Sequence, residues 1–176
     1  MKQLTVLALS GSLRAASTNT AMLAMAAACA PPGLRITACH GLGELPLFNP
    51  DLEADEPVAV AALRRAIGGA DALLIASPEY AHGVSSVMKN ALDWMVSTGV
   101  FVDKPVALWN ASPRASHALA ALQQTLTVMC SRLVADAGLS LLIKSTDRAA
   151  PQANPDPAAM QQALLALQQQ LSAQRY

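Results

Sequence analysis

The chain has 176 residues, its twelve Lys and Arg balance twelve Asp and Glu, and its isoelectric point lies near 6.8. That length suits one ordinary domain able to bury a core without disulfides or metals, and the charge balance excludes the basic footprint of a nucleic-acid binder or of a binder of anionic membrane surfaces. Hydrophobic residues make up 53% of the chain but aromatic residues 3%, so the core must be built from Ala, Leu, Val and Met, and an aromatic side chain in a loop stands out.

Residues 4–9 are apolar and partly β-branched, then break at Ser10-Gly11-Ser12, which predicts a buried strand entering a loop. The run is too short for the hydrophobic region of a secretory leader and Arg14 follows it closely, so no targeting segment is expected. Residues 19–30, almost all Ala, Leu and Met, predict a first helix ended by Pro31-Pro32-Gly33. Residues 34–38 offer a second strand, residues 41–57 read as a surface segment rich in Gly, Pro and acidic side chains, and residues 56–67 read as a second helix closed by Gly68-Gly69. The continuous run Ala72-Leu73-Leu74-Ile75-Ala76, bounded by Asp71 and Ser77-Pro78, has the pattern of a strand covered on both faces.

Val84, Met88, Ala91 and Met95 then recur four, three and four residues apart, marking one face of a helix over 84–97. A fourth strand is expected at 105–109, a fourth helix at 116–130, a fifth strand region at 133–143 and a last helix at 156–173, with 144–155 as a loop inside the same domain. Five strands alternating with five helices imply a single α/β domain over 1–176, with a parallel sheet and helices on both faces. Cys29, Cys39 and Cys130 are odd in number and widely spaced, and no apolar run reaches membrane-spanning length, so a reducing, cytoplasmic setting without membrane contact is expected.

In an open parallel sheet, ligands bind beyond the carboxyl ends of the strands, where strand order reverses. The loop after the first strand, Ser10 to Asn19, has the makings of a phosphate cradle: the hydroxyls of Ser12, Ser17 and Thr18, the Asn19 amide, Arg14, backbone N–H groups and a helix N-terminus can converge on one dianion. It lacks both the G-x-G-x-x-G spacing of dinucleotide sites and the lysine of the nucleotide hydrolases, so a terminal monophosphate fits better than a diphosphate. A serine-rich turn with ordinary capping by Ser17 is the plainer alternative.

After the third strand comes Ser77-Pro78-Glu79-Tyr80-Ala81-His82-Gly83, where Pro78 stiffens the turn and Tyr80 with the following N–H groups can border a flat heteroaromatic ring. A simple turn is the competing reading, and His82 alone reads as an exposed loop histidine. Lys89 and Asp93 stand four apart on a helix and read as an ion pair, Trp94 reads as core or as a subunit contact, and His40 and His117 lack the spacing of metal ligands, so no metal is expected.

Two of these motifs together carry a resemblance. Gly11-Ser12-Leu13-Arg14 with Ser17 and Asn19, and Ser77-Pro78-Glu79-Tyr80 followed by Lys89-Asn90-Ala91-Leu92-Asp93-Trp94, are similar to those of the NADPH-dependent FMN reductases and related quinone and azo-dye reductases. The resemblance implies a flavodoxin-like, doubly wound sheet of five parallel strands in the order 2-1-3-4-5. It also implies that Ser12, Arg14, Ser17, Thr18 and Asn19 hold an FMN phosphate, that Pro78, Glu79, Tyr80, Ala81 and His82 line the isoalloxazine, and that Ser112 closes the pocket from the loop after the fourth strand.

The implied reaction passes hydride from NADPH or NADH through FMN N5 to small acceptors such as flavins, quinones or azo compounds, in a homodimer or homotetramer, with no general acid or base required. The chain departs from the family pattern at Ala81, where Asn is common, at Ser85-Ser86, where Pro-Gly is common, and at Arg114-Ala115-Ser116-His117, where a glycine-rich run is common. Two rival functions remain on the same fold. One is a flavodoxin-type electron carrier, against which the neutral charge speaks; the other is a flavin-free protein that binds some other phosphorylated ligand.

Overall fold

A computed structural model describes residues 3–143 and 156–173; the loop expected at 144–155 lies outside the described residues. The strands are β1 (Leu4–Ser10), β2 (Leu34–Ala38), β3 (Ala72–Ala76), β4 (Glu79–Tyr80), β5 (Gly83–Val84), β6 (Pro105–Asn110), β7 (Arg132–Leu133) and β8 (Leu139–Ser140). The helices are α1 (Thr18–Ala28), α2 (Val58–Gly69), α3 (Ser86–Asp93), α4 (Ser116–Val128) and α5 (Pro157–Ala173).

The main sheet is parallel and runs β2-β1-β3-β6-β7, with β8 also pairing with β6, and Leu9 of β1 lies beside Ile75 of β3, which lies beside Leu108 of β6. The chain leaves β1 toward β2 on one side and returns to β3 on the other, so the strand order reverses between β1 and β3. That reversal places the loops after β1 and β3 at the head of one crevice.

Alternation along the strands splits the core in two. Leu4, Val6 and Ala8 of β1, Ala72, Leu74 and Ala76 of β3, and Ala107 and Trp109 of β6 pack with α1 and α5. Leu7 and Leu9, Leu73 and Ile75, and Val106 and Leu108 face the other way and pack with α2, α3 and α4. Both faces of β3 and β6 are therefore buried, which is why these segments read as unbroken apolar runs.

The fold is α/β with a mainly parallel sheet, but the five-strand order 2-1-3-4-5 needs correction: the sheet has six strands, because the expected fifth is broken. Arg132–Leu133 registers with Pro105 and Val106, and Leu139–Ser140 with Trp109 and Asn110, while Ala135–Ala137 between them forms a 3₁₀ turn. The turn's Ala137 carbonyl accepts the Trp109 Nε1–H at 2.9 Å. A buried indole N–H needs an acceptor, and backbone lifted out of the ladder supplies it.

Two further differences are local. Gly68 and Gly69 lie inside α2 and the helix stops only at Ala70. The helix expected over 84–97 is shortened at both ends: Val84 belongs to the antiparallel β4–β5 hairpin, and a 3₁₀ turn at Val96–Thr98, leading into Gly99 at φ +68°, replaces its last turn. Cys29, Cys39 and Cys130 are free thiols, and burial pushes the Cys39 thiol up. Among the described residues no helix is long and apolar enough to cross a membrane.

Candidate functional site

The loop after β1 is organised by bonds within a few residues of one another. Ser17 caps α1 by accepting the Thr20 N–H at 3.2 Å, Ser10 and Thr20 share a hydroxyl bond of 2.8 Å, and Ser12 Oγ accepts the Arg14 N–H at 3.4 Å. As acceptors in these bonds, Ser12 and Ser17 keep their own hydroxyl protons available for an anion. The first amides of α1, on Thr18 and Asn19, lack intrahelical acceptors and add the positive end of the helix. Asn19 is only 6% exposed, yet its Oδ1 has no partner among the described residues. The side-chain amide can turn over to present Nδ2 instead, so a buried carboxamide at the helix N-terminus carries an unmet hydrogen bond. Arg14 is exposed at the rim.

Gly11 joins this loop to the one after β3. Its N–H bonds the Ala76 carbonyl at 2.8 Å, and a Cβ there would lie 2.5 Å from Ser77 Oγ and 2.9 Å from Ser77 Cβ. Only glycine permits so close an approach. Ser77 and Ser85 hydroxyls lie 3.2 Å apart behind it, and Ser85 caps α3 by accepting the Met88 N–H at 3.3 Å. A cleft of about 260 Å³ runs from Ser10 and Ser12 along Thr20 toward Cys39 and Gly41, on the β2 side and away from the Tyr80 turn.

The expected ring-binding segment folds as the β4–β5 hairpin. Ala81 at φ 48° and His82 at φ 60° form its two-residue loop. Positive φ at both central positions is the requirement of a tight hairpin, normally met by Asn or Gly, so this turn carries strain of about 1–2 kcal/mol at each residue. Tyr80 is 60% exposed, leaving its ring free at the crevice.

The Glu79 side chain is turned away to other work. Oε2 accepts the Ala118 N–H in the first turn of α4 at 2.9 Å, and Oε1 lies 3.1 Å from His82 Nδ1. The Ala118 amide holds the Glu79 carboxyl below the usual carboxylate range; burial opposes that shift, and the His82 bond and the charges of His117 and His82 add to it. Pro78 is half-buried at the mouth of the turn.

Ser112 sits in a loop braced by Asn110, whose Oδ1 accepts the Ser112 N–H at 3.0 Å and whose Nδ2 donates to the Ala115 carbonyl at 3.2 Å. The loops after β1 and β3 thus meet directly at Gly11 and Ser77, while the loop after β6 is tied to the hairpin through α4. Sequence reasoning missed Asn110, Ser85 and the packing of His117 against His82. The first two carry a signal: Asn110 is the one polar residue ending a fully buried strand, and Ser85 immediately precedes a helix.

The motif on α3 is structural. Lys89 pairs with Asp93, Asn90 accepts the Phe48 N–H at 2.8 Å and donates to the Pro46 carbonyl at 3.0 Å, and Trp94 Nε1 donates to that same carbonyl at 2.8 Å. Trp94 is buried within the chain, edge to face with Phe48, which settles its place as core. Among the described residues no group of three or more His, Cys, Asp or Glu side chains is arranged to hold a metal.

Comparison with known proteins places the chain among a set of relatives. Residues 4–139 match the family model described as NADPH-dependent FMN reductase. An NAD(P)H-dependent FMN reductase of Pseudomonas aeruginosa is 44% identical over 110 residues, covering 61% of this chain and 59% of that protein. An NADPH:quinone oxidoreductase of Arabidopsis thaliana is 45% identical over 109 residues, covering 58% and 55%. The chain thus spans less than two thirds of the length of these curated relatives. The solved structure of FerB, a flavoenzyme NAD(P)H:(acceptor) oxidoreductase from Paracoccus denitrificans, superposes with a TM-score of 0.68 at 26% identity, covering 97% of this chain and 94% of that one.

Proposed function

The chain belongs to the NADPH-dependent FMN reductase family, and from that premise we propose that it binds FMN and uses NADPH or NADH to reduce small acceptors such as free flavins, quinones or azo compounds. The observation that carries this reading is the buried Asn19 carboxamide with its open hydrogen bond at the N-terminus of α1, beside two serine hydroxyls with protons to give. Those groups match the chemistry of a phosphate monoester and offer nothing to an apolar ligand.

In this reading Ser12, Ser17, Thr18, Asn19 and Arg14 would hold the phosphate. The backbone of Pro78 to His82, with the exposed Tyr80 ring, would border the flavin, and Ser112 would close the third side. Bound FMN would supply the hydride chemistry between the nicotinamide and the acceptor. The protein's part is to orient the ring with backbone N–H groups of the hairpin, to stabilise negative charge beside them, and to keep water from the reacting face. The whole of 1–176 would act as one domain, cytoplasmic, and paired as a homodimer or homotetramer.

Titration of the purified protein with FMN, followed by flavin fluorescence, tests the reading. Quenching that saturates at micromolar flavin, with bleaching by NADPH and reoxidation by a quinone, is the expected result. Flavin uptake without bleaching would favour an electron carrier, and no uptake would end the flavin assignment.

A further inference from the structure

Glu79, His82 and His117 form an ionisable cluster whose side chains the flavin reading leaves without a task. Glu79 Oε2 accepts the Ala118 N–H, Oε1 lies 3.1 Å from His82 Nδ1, and the His82 and His117 rings meet edge to face with centroids 4.4 Å apart. Helix α4 has Ala115 at its N-cap and no side-chain cap of its own, so a carboxylate from the hairpin satisfies one of its unpaired amides. The hairpin needs the anchor in return: it has two residues per strand and turns on two non-glycine residues at positive φ.

We propose that Glu79 is a positioning residue that latches the flavin-facing hairpin to the N-terminus of α4 through the bond it accepts from the Ala118 N–H. The consequence for FMN rests on the flavin reading above, whereas the latch itself rests on this chain's own contacts. Both Glu79 oxygens are engaged within the chain, one on α4 and one on the hairpin, so the side chain braces the turn.

The groups that face one another are Glu79 and His82 on the hairpin and His117 on α4, which carries no other ionisable side chain over Ser116–Val128. On α3, Lys89 is paired with Asp93. Because the Glu79 carboxyl in the folded chain lies below its ordinary value, its own contribution is present above that ordinary value and is lost as pH falls through the lowered one.

The test measures the hydrogen-exchange protection of the Ala118 amide in the apoprotein, alongside the FMN dissociation constant, in wild type, Glu79→Ala and Glu79→Gln. The Ala118 amide is expected to be protected in wild type and in Glu79→Gln and to exchange freely in Glu79→Ala. Glu79→Ala should weaken FMN binding about tenfold, the worth of one charge-assisted hydrogen bond. Glu79→Gln, which keeps an acceptor for Ala118, should recover most of that affinity.

An Ala118 amide as protected in Glu79→Ala as in wild type, or FMN binding by Glu79→Ala equal to wild type, overturns the latch. If Glu79→Ala does not fold, wild type decides, because Ala118 protection that does not fall as pH drops through the Glu79 titration also overturns it. If wild type takes up no FMN, the flavin reading fails, and the Ala118 protection still decides the latch.

Discussion

The serine loop after β1 and the tyrosine hairpin after β3 face the same crevice but are built in opposite ways. In the serine loop every supporting side-chain bond closes within ten residues: Ser10 to Thr20, Ser12 to Arg14, Ser17 to Thr20. The hairpin relies on Glu79 reaching Ala118, 39 residues away, and turns on residues whose backbone is strained. A local loop can order as soon as its helix forms, whereas a strained turn with a distant anchor is ordered only when the sheet and α4 are already in place. The serine loop is therefore preformed, and the hairpin depends on tertiary packing.

Gly11 is where the two regions touch, and its replacement should have the largest effect. Gly11→Ala must displace Ser77, Cβ included, so it should lower stability by about 1–3 kcal/mol in urea denaturation and weaken FMN uptake by more than about tenfold. Wild-type affinity in that variant would mean that the two loops do not share a ligand.

Ser17→Ala removes the local cap of α1 and should destabilise the chain by about 1 kcal/mol, with a loss of FMN affinity read in the same titration. Ala81→Asn acts with the opposite sign, because Asn tolerates the left-handed backbone that Ala81 adopts; a gain of about 0.5–1 kcal/mol in thermal unfolding is expected. A loss there would show that the hairpin is not strained and would remove the contrast. Lys89→Ala breaks an exposed pair on α3 and should change stability by no more than about 0.5 kcal/mol, with FMN binding unaltered.

The serine loop was legible because its chemistry is written in adjacent residues: hydroxyls, an amide and a helix start within one short stretch. The hairpin was legible only as a turn bearing a tyrosine. Two-residue strands have no period to detect, and nothing in Ala81-His82 announces positive φ. Glu79 was expected at the flavin from the family resemblance; that its carboxylate accepts the Ala118 N–H depends on where α4 begins in space. His117 read as an isolated histidine for the same reason.

The parallel architecture, its first four strands and the hydroxyl-rich character of the loop after β1 follow from runs of residue types that act over one strand or one helix turn, and these were readable before any coordinates. The break in the fifth strand, the burial of Trp94 against Pro46 and Phe48, and the Glu79 anchor were decided by packing alone. Each satisfies a buried or strained group with a partner far along the chain, and such partners meet only when the two layers of helices close on the sheet.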